Sequence, residues 1–216
     1  VQGSSQRDAV ASETILPEHL SAQTRYKLFS GCIVPRPIAL VTSLSPEGVI
    51  NAAPFSQFFL ISSEPPLLGI IVGQRDGGYR DGQNQDNGPI KDTLTNISRL
   101  GEYVINTAPE ELALAVQLCA DELPPEQSEI GHAGLHVVPS TRVRVPRVAE
   151  SKVQFECQLH RMVPFAGAST LIAGEVVMIH TAPGLIDDGR VDIGRYAPLG
   201  RIGGRNYCRL TDLVSV

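Results

Sequence analysis

Small polar residues set inside otherwise apolar, extended segments are the first feature of this chain that could do chemistry. Thr42 and Ser43 close the run Ile38-Ala-Leu-Val-Thr-Ser43, and Asn51 and Ser56 bound the run Asn51-Ala-Ala-Pro-Phe-Ser56. A buried hydroxyl or amide needs a hydrogen-bond partner, so such residues on neighbouring segments can line a site for a polar, planar ring. The same pattern also suits ordinary satisfaction of strand edges and turns. Lys91-Asp92-Thr93 brings a cation and a hydroxyl to the head of an expected helix, where backbone N–H groups lack intrahelical partners. That set suits a phosphate, and Asp92 equally suits a plain helix cap.

Other chemistries find less support. No Gly-x-Gly-x-x-Gly follows a strand and opens a helix, and no Gly-x-x-x-x-Gly-Lys-Ser/Thr occurs, so the usual loops for dinucleotides and nucleoside triphosphates are missing. Gly200, Gly203 and Gly204 have the wrong spacing and read as a tight turn. His132-x-x-x-His136 is the one metal-like spacing, but Gly134 lies inside it and the region reads as loop entering strand. No Gly-x-Ser-x-Gly elbow is present. Cys32, Cys119, Cys157 and Cys208 are scattered beside apolar residues, which predicts buried reduced thiols, with a cysteine nucleophile left open.

Elements must hold these residues in place. Ser21 can cap a short helix through Phe29, which Gly31 can end in a left-handed turn. A strand over Ile38 to Ser43, the turn Ser45-Pro-Glu-Gly48 and a second strand from Val49 to Ser56 form a hairpin. Leu67 to Val72 reads as a strand buried on both faces. Residues 73–89 form a long excursion that could serve as a lid. Helices are expected over Thr93 to Leu100, stopped by Gly101, and over Glu110 to Ala120, with a strand from Tyr103 to Asn106 between them. Val153 to His160 alternates apolar and polar residues, predicting one core face and one face in water or at an interface. Ser169 to His180 is a further strand, and Asp187-Asp-Gly189 a turn. Short strands outnumber helices and no βαβ rhythm occurs, which predicts a mainly β, antiparallel barrel with a few short peripheral helices.

The chain has 216 residues and a formal net charge of −5. The length suits one domain, taken as residues 21–216 after a loose arm over residues 1–20. An acidic chain opposes binding to nucleic acid, whose phosphates want Lys or Arg in exchange for counterions. No apolar run reaches the roughly 18 residues of a membrane span, and the first thirty residues lack a signal-like apolar stretch. A cytoplasmic location is expected.

Six segments together resemble the flavin reductase-like family, whose fold is the FMN-binding split barrel. They are Pro35-Arg-Pro-Ile-Ala-Leu-Val-Thr-Ser43, Asn51-Ala-Ala-Pro-Phe-Ser56, Pro65-Pro66, Lys91-Asp-Thr-Leu-Thr-Asn96, Gly174-Glu-Val-Val-Met-Ile-His180 and Pro198-Leu-Gly-Arg-Ile-Gly-Gly-Arg-Asn-Tyr207. The resemblance implies an antiparallel split β-barrel with Val41, Thr42, Ser43, Asn51, Ala53, Pro54, Phe55 and Ser56 around a non-covalent flavin. It further implies phosphate binding by Lys91 and Thr93, with Asp92 orienting it and Arg36 a further candidate. The segment over 73–89 departs from the family pattern and brings Arg75 and Arg80 near the phosphate turn. A homodimer with flavin near the subunit interface is also implied.

The resemblance implies an NAD(P)H-dependent flavin reductase in which a transiently bound nicotinamide stacks on FMN and passes it hydride. No side chain is required as acid or base. His180 at a strand end is expected to be satisfied by backbone. Reduced flavin, or electrons, would pass to a monooxygenase or another acceptor. Two other readings stay open: an FMN-holding electron carrier that serves partner proteins without NAD(P)H, and a barrel binding haem or pyridoxal phosphate instead.

Overall fold

The computed structural model describes residues 12–73, 90–165, 169–210 and 214. Seven strands form one antiparallel sheet: β1 (Ala39–Leu44), β2 (Ile50–Phe55), β3 (Phe58–Ser63), β4 (Pro66–Gly73), β5 (Glu102–Thr107), and, past the short pair β6 (Val137–Val138) and β7 (Arg147–Val148), the long strands β8 (Val153–Phe165) and β9 (Ser169–Thr181). Their order is β2-β1-β5-β8-β9-β4-β3. Two small hairpins follow, β10 (Ile186–Asp187) with β11 (Arg190–Val191), and β12 (Leu199–Gly203) with β13 (Asn206–Arg209). The expected mainly β split barrel with short peripheral helices is the fold found.

Alternation along β1 builds two apolar layers. Ala39 and Val41 face the barrel interior with Phe55, Ile70, Val72, Tyr103, Ile105 and Ile172, while Ile38 and Leu40 face the opposite layer with Ala52, Leu112 and Val116. The helices cover this frame. Ser21 caps α1 (Ala22–Cys32) by accepting the Thr24 N–H at 3.1 Å. In α2 (Asp92–Leu100), Thr93, Asn96 and Ile97 recur at the i, i+3, i+4 spacing that puts them on one buried face. Gly101, at φ 71°, ends α2 in the left-handed conformation expected of it. The remaining helices are short: α3 (Ala113–Leu118), α4 (Glu129–His132) and α5 (Ile193–Tyr196).

Four expectations need correction. The first helix runs through Gly31, because the Ile33 N–H still bonds to Phe29 O at 3.0 Å. Cys32 is exposed at the helix end and Cys208 is half-buried; only Cys119 and Cys157 are buried thiols. Residues 110–118 divide into a 3-10 turn (Glu110–Leu112) and α3. The polar face of β8 is not wet along its first half: Gln154 and Glu156 are buried, because residues 139–148 lie across them. The Thr141, Arg142 and Val143 N–H groups all donate to the Glu156 carboxylate, at 2.7, 2.5 and 3.1 Å. A carboxylate that satisfies three backbone donors is a reason for this irregular segment to settle on the sheet.

Candidate functional site

Antiparallel pairing of β1 and β2 sets Ser43 opposite Asn51. Their side chains meet, and the Ser43 hydroxyl donates to Asn51 Oδ1 at 3.2 Å. The buried face of α2 adds two partners. Thr93 Oγ1 donates to the same Asn51 oxygen at 2.8 Å, and Asn96 Nδ2 donates to Ser43 Oγ at 3.1 Å. Polar residues on the inward face of a helix are tolerated here because each finds a partner on the hairpin.

From the other side comes Glu129, the first residue of α4. Ser128 caps that helix, accepting the Ile130 N–H at 3.3 Å while its own hydroxyl donates to Ile50 O at 2.5 Å. The Glu129 carboxylate, 7% exposed, accepts from Asn51 Nδ2 at 3.1 Å on each oxygen and from the Ala52 N–H at 2.9 Å. Because β2 is an edge strand, that N–H points away from β1, and Glu129 covers it.

A cleft of about 120 Å³ opens beside this network. One wall carries Asn51, Ala53, Pro54, Lys91, Asp92 and Thr93; the other carries Cys119, Asp121, Glu122, Leu123 and Glu129. Lys91 stands at the N-cap of α2 with Nζ 5.7 Å from the centroid of the Phe55 ring. Burial, then the charges of Glu129 and Asp121, push the Cys119 thiol up to about 12. At neutral pH it is protonated and offers no nucleophile.

Six of the twelve expected site residues, Asn51, Ala53, Pro54, Lys91, Asp92 and Thr93, thus line one cleft. Ser43 stands behind them in the same hydrogen-bond network. Val41 and Phe55 lie in the barrel interior. Thr42 faces the opposite layer and donates to Pro146 O at 2.7 Å. Arg36 and Ser56 form a separate pair, Nε to Oγ at 3.2 Å, and the guanidinium also reaches the carbonyls of Ser30, Ile33 and Ile202. It clamps the end of α1 to β12. Arg75, Arg80 and the rest of the expected lid over 74–89 fall outside the described residues, while Gly73 ends β4.

Sequence reasoning missed Glu129 and misjudged His180. The His180 ring takes a side-chain partner, with Nε2 2.5 Å from Glu156 Oε1. Burial alone would raise the Glu156 pKa. Hydrogen bonds from the Thr141 N–H, the His180 ring, and the Arg142 and Val143 N–H groups outweigh it and hold the carboxyl below its ordinary value. As for the histidine pair, His132 Nε2 lies 3.1 Å from Asp121 and His136 Nδ1 lies 2.7 Å from Glu150. Among the described residues, no three His, Cys, Asp or Glu side chains gather as a metal site.

An antiparallel split barrel with a polar cleft flanked by a helix N-terminus and a lysine defines the class. Residues 30–200 match the model of the flavin reductase like domain, and the chain belongs to that family. It is similar to nitrilotriacetate monooxygenase component B from Bacillus cereus, with 34% identity, 96% of this chain and 100% of that chain covered, and a TM-score of 0.88. It is also similar to the 2-nitrobenzoate 2-nitroreductase NbaA of Pseudomonas fluorescens, with 35% identity, coverage of 94% and 95%, and a TM-score of 0.82. A putative flavin reductase with split barrel domain from Shewanella frigidimarina shares the fold, with 20% identity, coverage of 95% and 98%, and a TM-score of 0.79.

Proposed function

We propose that this chain holds FMN non-covalently in the cleft and reduces flavin with hydride from NAD(P)H, for use by a monooxygenase or another electron acceptor. The observation that carries this reading is the convergence of Lys91, the N-terminus of α2 and the Ser43–Asn51–Thr93 network on one cleft. The donor set suits the group: a cation and a helix N-terminus oppose a phosphate, hydroxyl and amide groups match a polyol, and Ala53, Pro54 and Leu123 offer apolar surface to a ring. Bound FMN supplies the redox chemistry, accepting hydride and passing electrons onward.

The chain's own tasks are binding and orientation. Lys91 neutralises phosphate charge, and Asp92 in the first turn of α2 helps to orient the phosphate-binding turn. Ser43 and Asn51 fix the wall against which the ligand is seated, and Val41 and Phe55 support it from the barrel interior. Thr42, Ser56 and Arg36 brace the strands that carry this wall. No side chain serves as acid or base. A monooxygenase partner is supported by the likeness to a monooxygenase component.

A homodimer is supported by the exposed Phe59, Leu60 and Ile61 on edge strand β3, 43%, 68% and 39% accessible in the single chain. The likeness to a nitroreductase favours a second reading, in which FMN is retained and a nitroaromatic is reduced in place. Steady-state oxidation of NADH or NADPH with FMN added tests the proposal. Protein-dependent oxidation without a nitroaromatic, with reduced flavin released to solution, is expected. Turnover only with a nitroaromatic would transfer the assignment to the second reading, and no turnover with either would overturn both.

A further inference from the structure

Glu129 controls which way the amide of Asn51 points. A carboxylate can only accept hydrogen bonds, so Asn51 must turn Nδ2 toward it, and both carboxylate oxygens lie 3.1 Å from that nitrogen. The opposite orientation would set Oδ1 against the carboxylate, two acceptors face to face. With Nδ2 held in this way, Oδ1 is the atom left for the two hydroxyls. Ser43 donates to it at 3.2 Å and Thr93 at 2.8 Å. Each hydroxyl has one proton, and each is now engaged. Ser43 also accepts from Asn96 Nδ2 at 3.1 Å. Thr93, which lines the cleft, is left with lone-pair capacity alone.

We infer that Glu129 is a positioning residue that sets the hydrogen-bond polarity of the cleft wall, so that Thr93 meets the ligand as an acceptor and seats a ribityl hydroxyl rather than the phosphate. The inference rests on the flavin reading of the cleft and revises one part of it. A phosphate oxygen brought to the Thr93 hydroxyl would find no donor there, because that proton already belongs to Asn51. A polyol hydroxyl supplies the donor that Thr93 lacks. Thr93 lies two residues beyond Lys91 in the same helix start, which suits a chain of hydroxyls leading away from a phosphate at Lys91. Glu129 reaches this wall from 77 residues beyond Ala52, so its carboxylate also ties α4 to the edge of the barrel.

The test uses three flavins that differ by one part each: FMN, riboflavin, which lacks the phosphate, and lumiflavin, which lacks the polyol. In Glu129→Gln the new side chain keeps the Ala52 N–H on its oxygen and turns its NH2 toward Asn51. Asn51 then turns Oδ1 to meet it and presents Nδ2 to Ser43 and Thr93, releasing the Thr93 hydroxyl proton toward the cleft. Binding of FMN and riboflavin should weaken by roughly 10- to 100-fold, while lumiflavin changes little. The paired variant Asn51→Asp with Glu129→Gln exchanges the carboxylate and the amide. The carboxylate, now on β2, would again accept from both hydroxyls, and riboflavin affinity should recover to within roughly threefold of the original chain.

Equal losses for all three flavins would overturn the inference, since a purely structural Glu129 would harm them alike. So would unchanged riboflavin binding in Glu129→Gln, or a paired variant that keeps its urea midpoint and still fails to recover. If Glu129→Gln does not fold, the paired variant carries the test by itself. Failure of the original chain to bind any flavin would count against the flavin reading rather than against Glu129, and it would be seen before any variant is made.

Discussion

Replacing Lys91 by Met removes the one described cation that lines the cleft while keeping an unbranched stem over Phe55. A lysine about 4 Å from a phosphate charge attracts it by roughly 4 kcal/mol at an effective dielectric constant of about 20. Lys91 is only half-buried, so solvent screening and the cost of ordering its side chain reduce the net effect to about 1–2 kcal/mol. FMN binding should therefore weaken by roughly 5- to 30-fold. Riboflavin, which has no phosphate, should be nearly unaffected. Quenching of flavin fluorescence on titration with protein measures both affinities, and repeating it at several salt concentrations adds a second readout. The FMN affinity of the original chain should fall with salt more steeply than that of the variant. Equal losses for FMN and riboflavin, or identical salt slopes, would refute the placement of phosphate at Lys91.

Three further outcomes are expected. The Glu156 carboxyl has a folded-state pKa below its ordinary value of 4.5, so its contribution to stability is complete above that value and is lost as pH falls through the lower one. Urea midpoints measured down the acid range should show this loss, and Glu156→Gln should flatten it while costing about 3 kcal/mol at neutral pH. A Cβ at Gly174 would lie 2.0 Å from Tyr103 Oη and 2.6 Å from Cζ, so Gly174→Ala should destabilise by about 2–4 kcal/mol. Tyr103→Phe should relieve part of that cost, because it removes a buried hydroxyl that makes no hydrogen bond among the described residues. Burial first, and then the neighbouring Cys157 thiol, push the Tyr103 hydroxyl well above its ordinary pKa, and that thiol donates to Phe155 O at 3.5 Å. Cys119 should resist alkylation at neutral pH in the folded protein, whereas exposed Cys32 should react; fast labelling of Cys119 in the native state would contradict its burial.

What the sequence revealed follows the distance over which each interaction is built. Ser43 and Asn51 meet through a hairpin whose turn and alternation are written in adjacent residues, and Thr93 and Asn96 share a helix face by simple periodicity. That half of the cleft was legible. Glu129 was not, because it belongs to a four-residue helix with no motif and reaches Asn51 across 78 positions. Glu156 presented the opposite difficulty. Its place in an alternating strand is the pattern of a solvated face, and only the aperiodic segment over 139–148, whose N–H groups converge on it, makes it buried. Gly31 shows the limit of a local stop signal: the helix continued because the bond from Ile33 to Phe29 could still form.

Anaerobic stopped-flow absorbance after mixing the FMN-loaded protein with NADH or NADPH tests the central claim most directly. The account predicts that the oxidised flavin band bleaches rapidly with at least one nucleotide, far faster than for the same FMN free in solution. A bound flavin that stays oxidised with both nucleotides would contradict it.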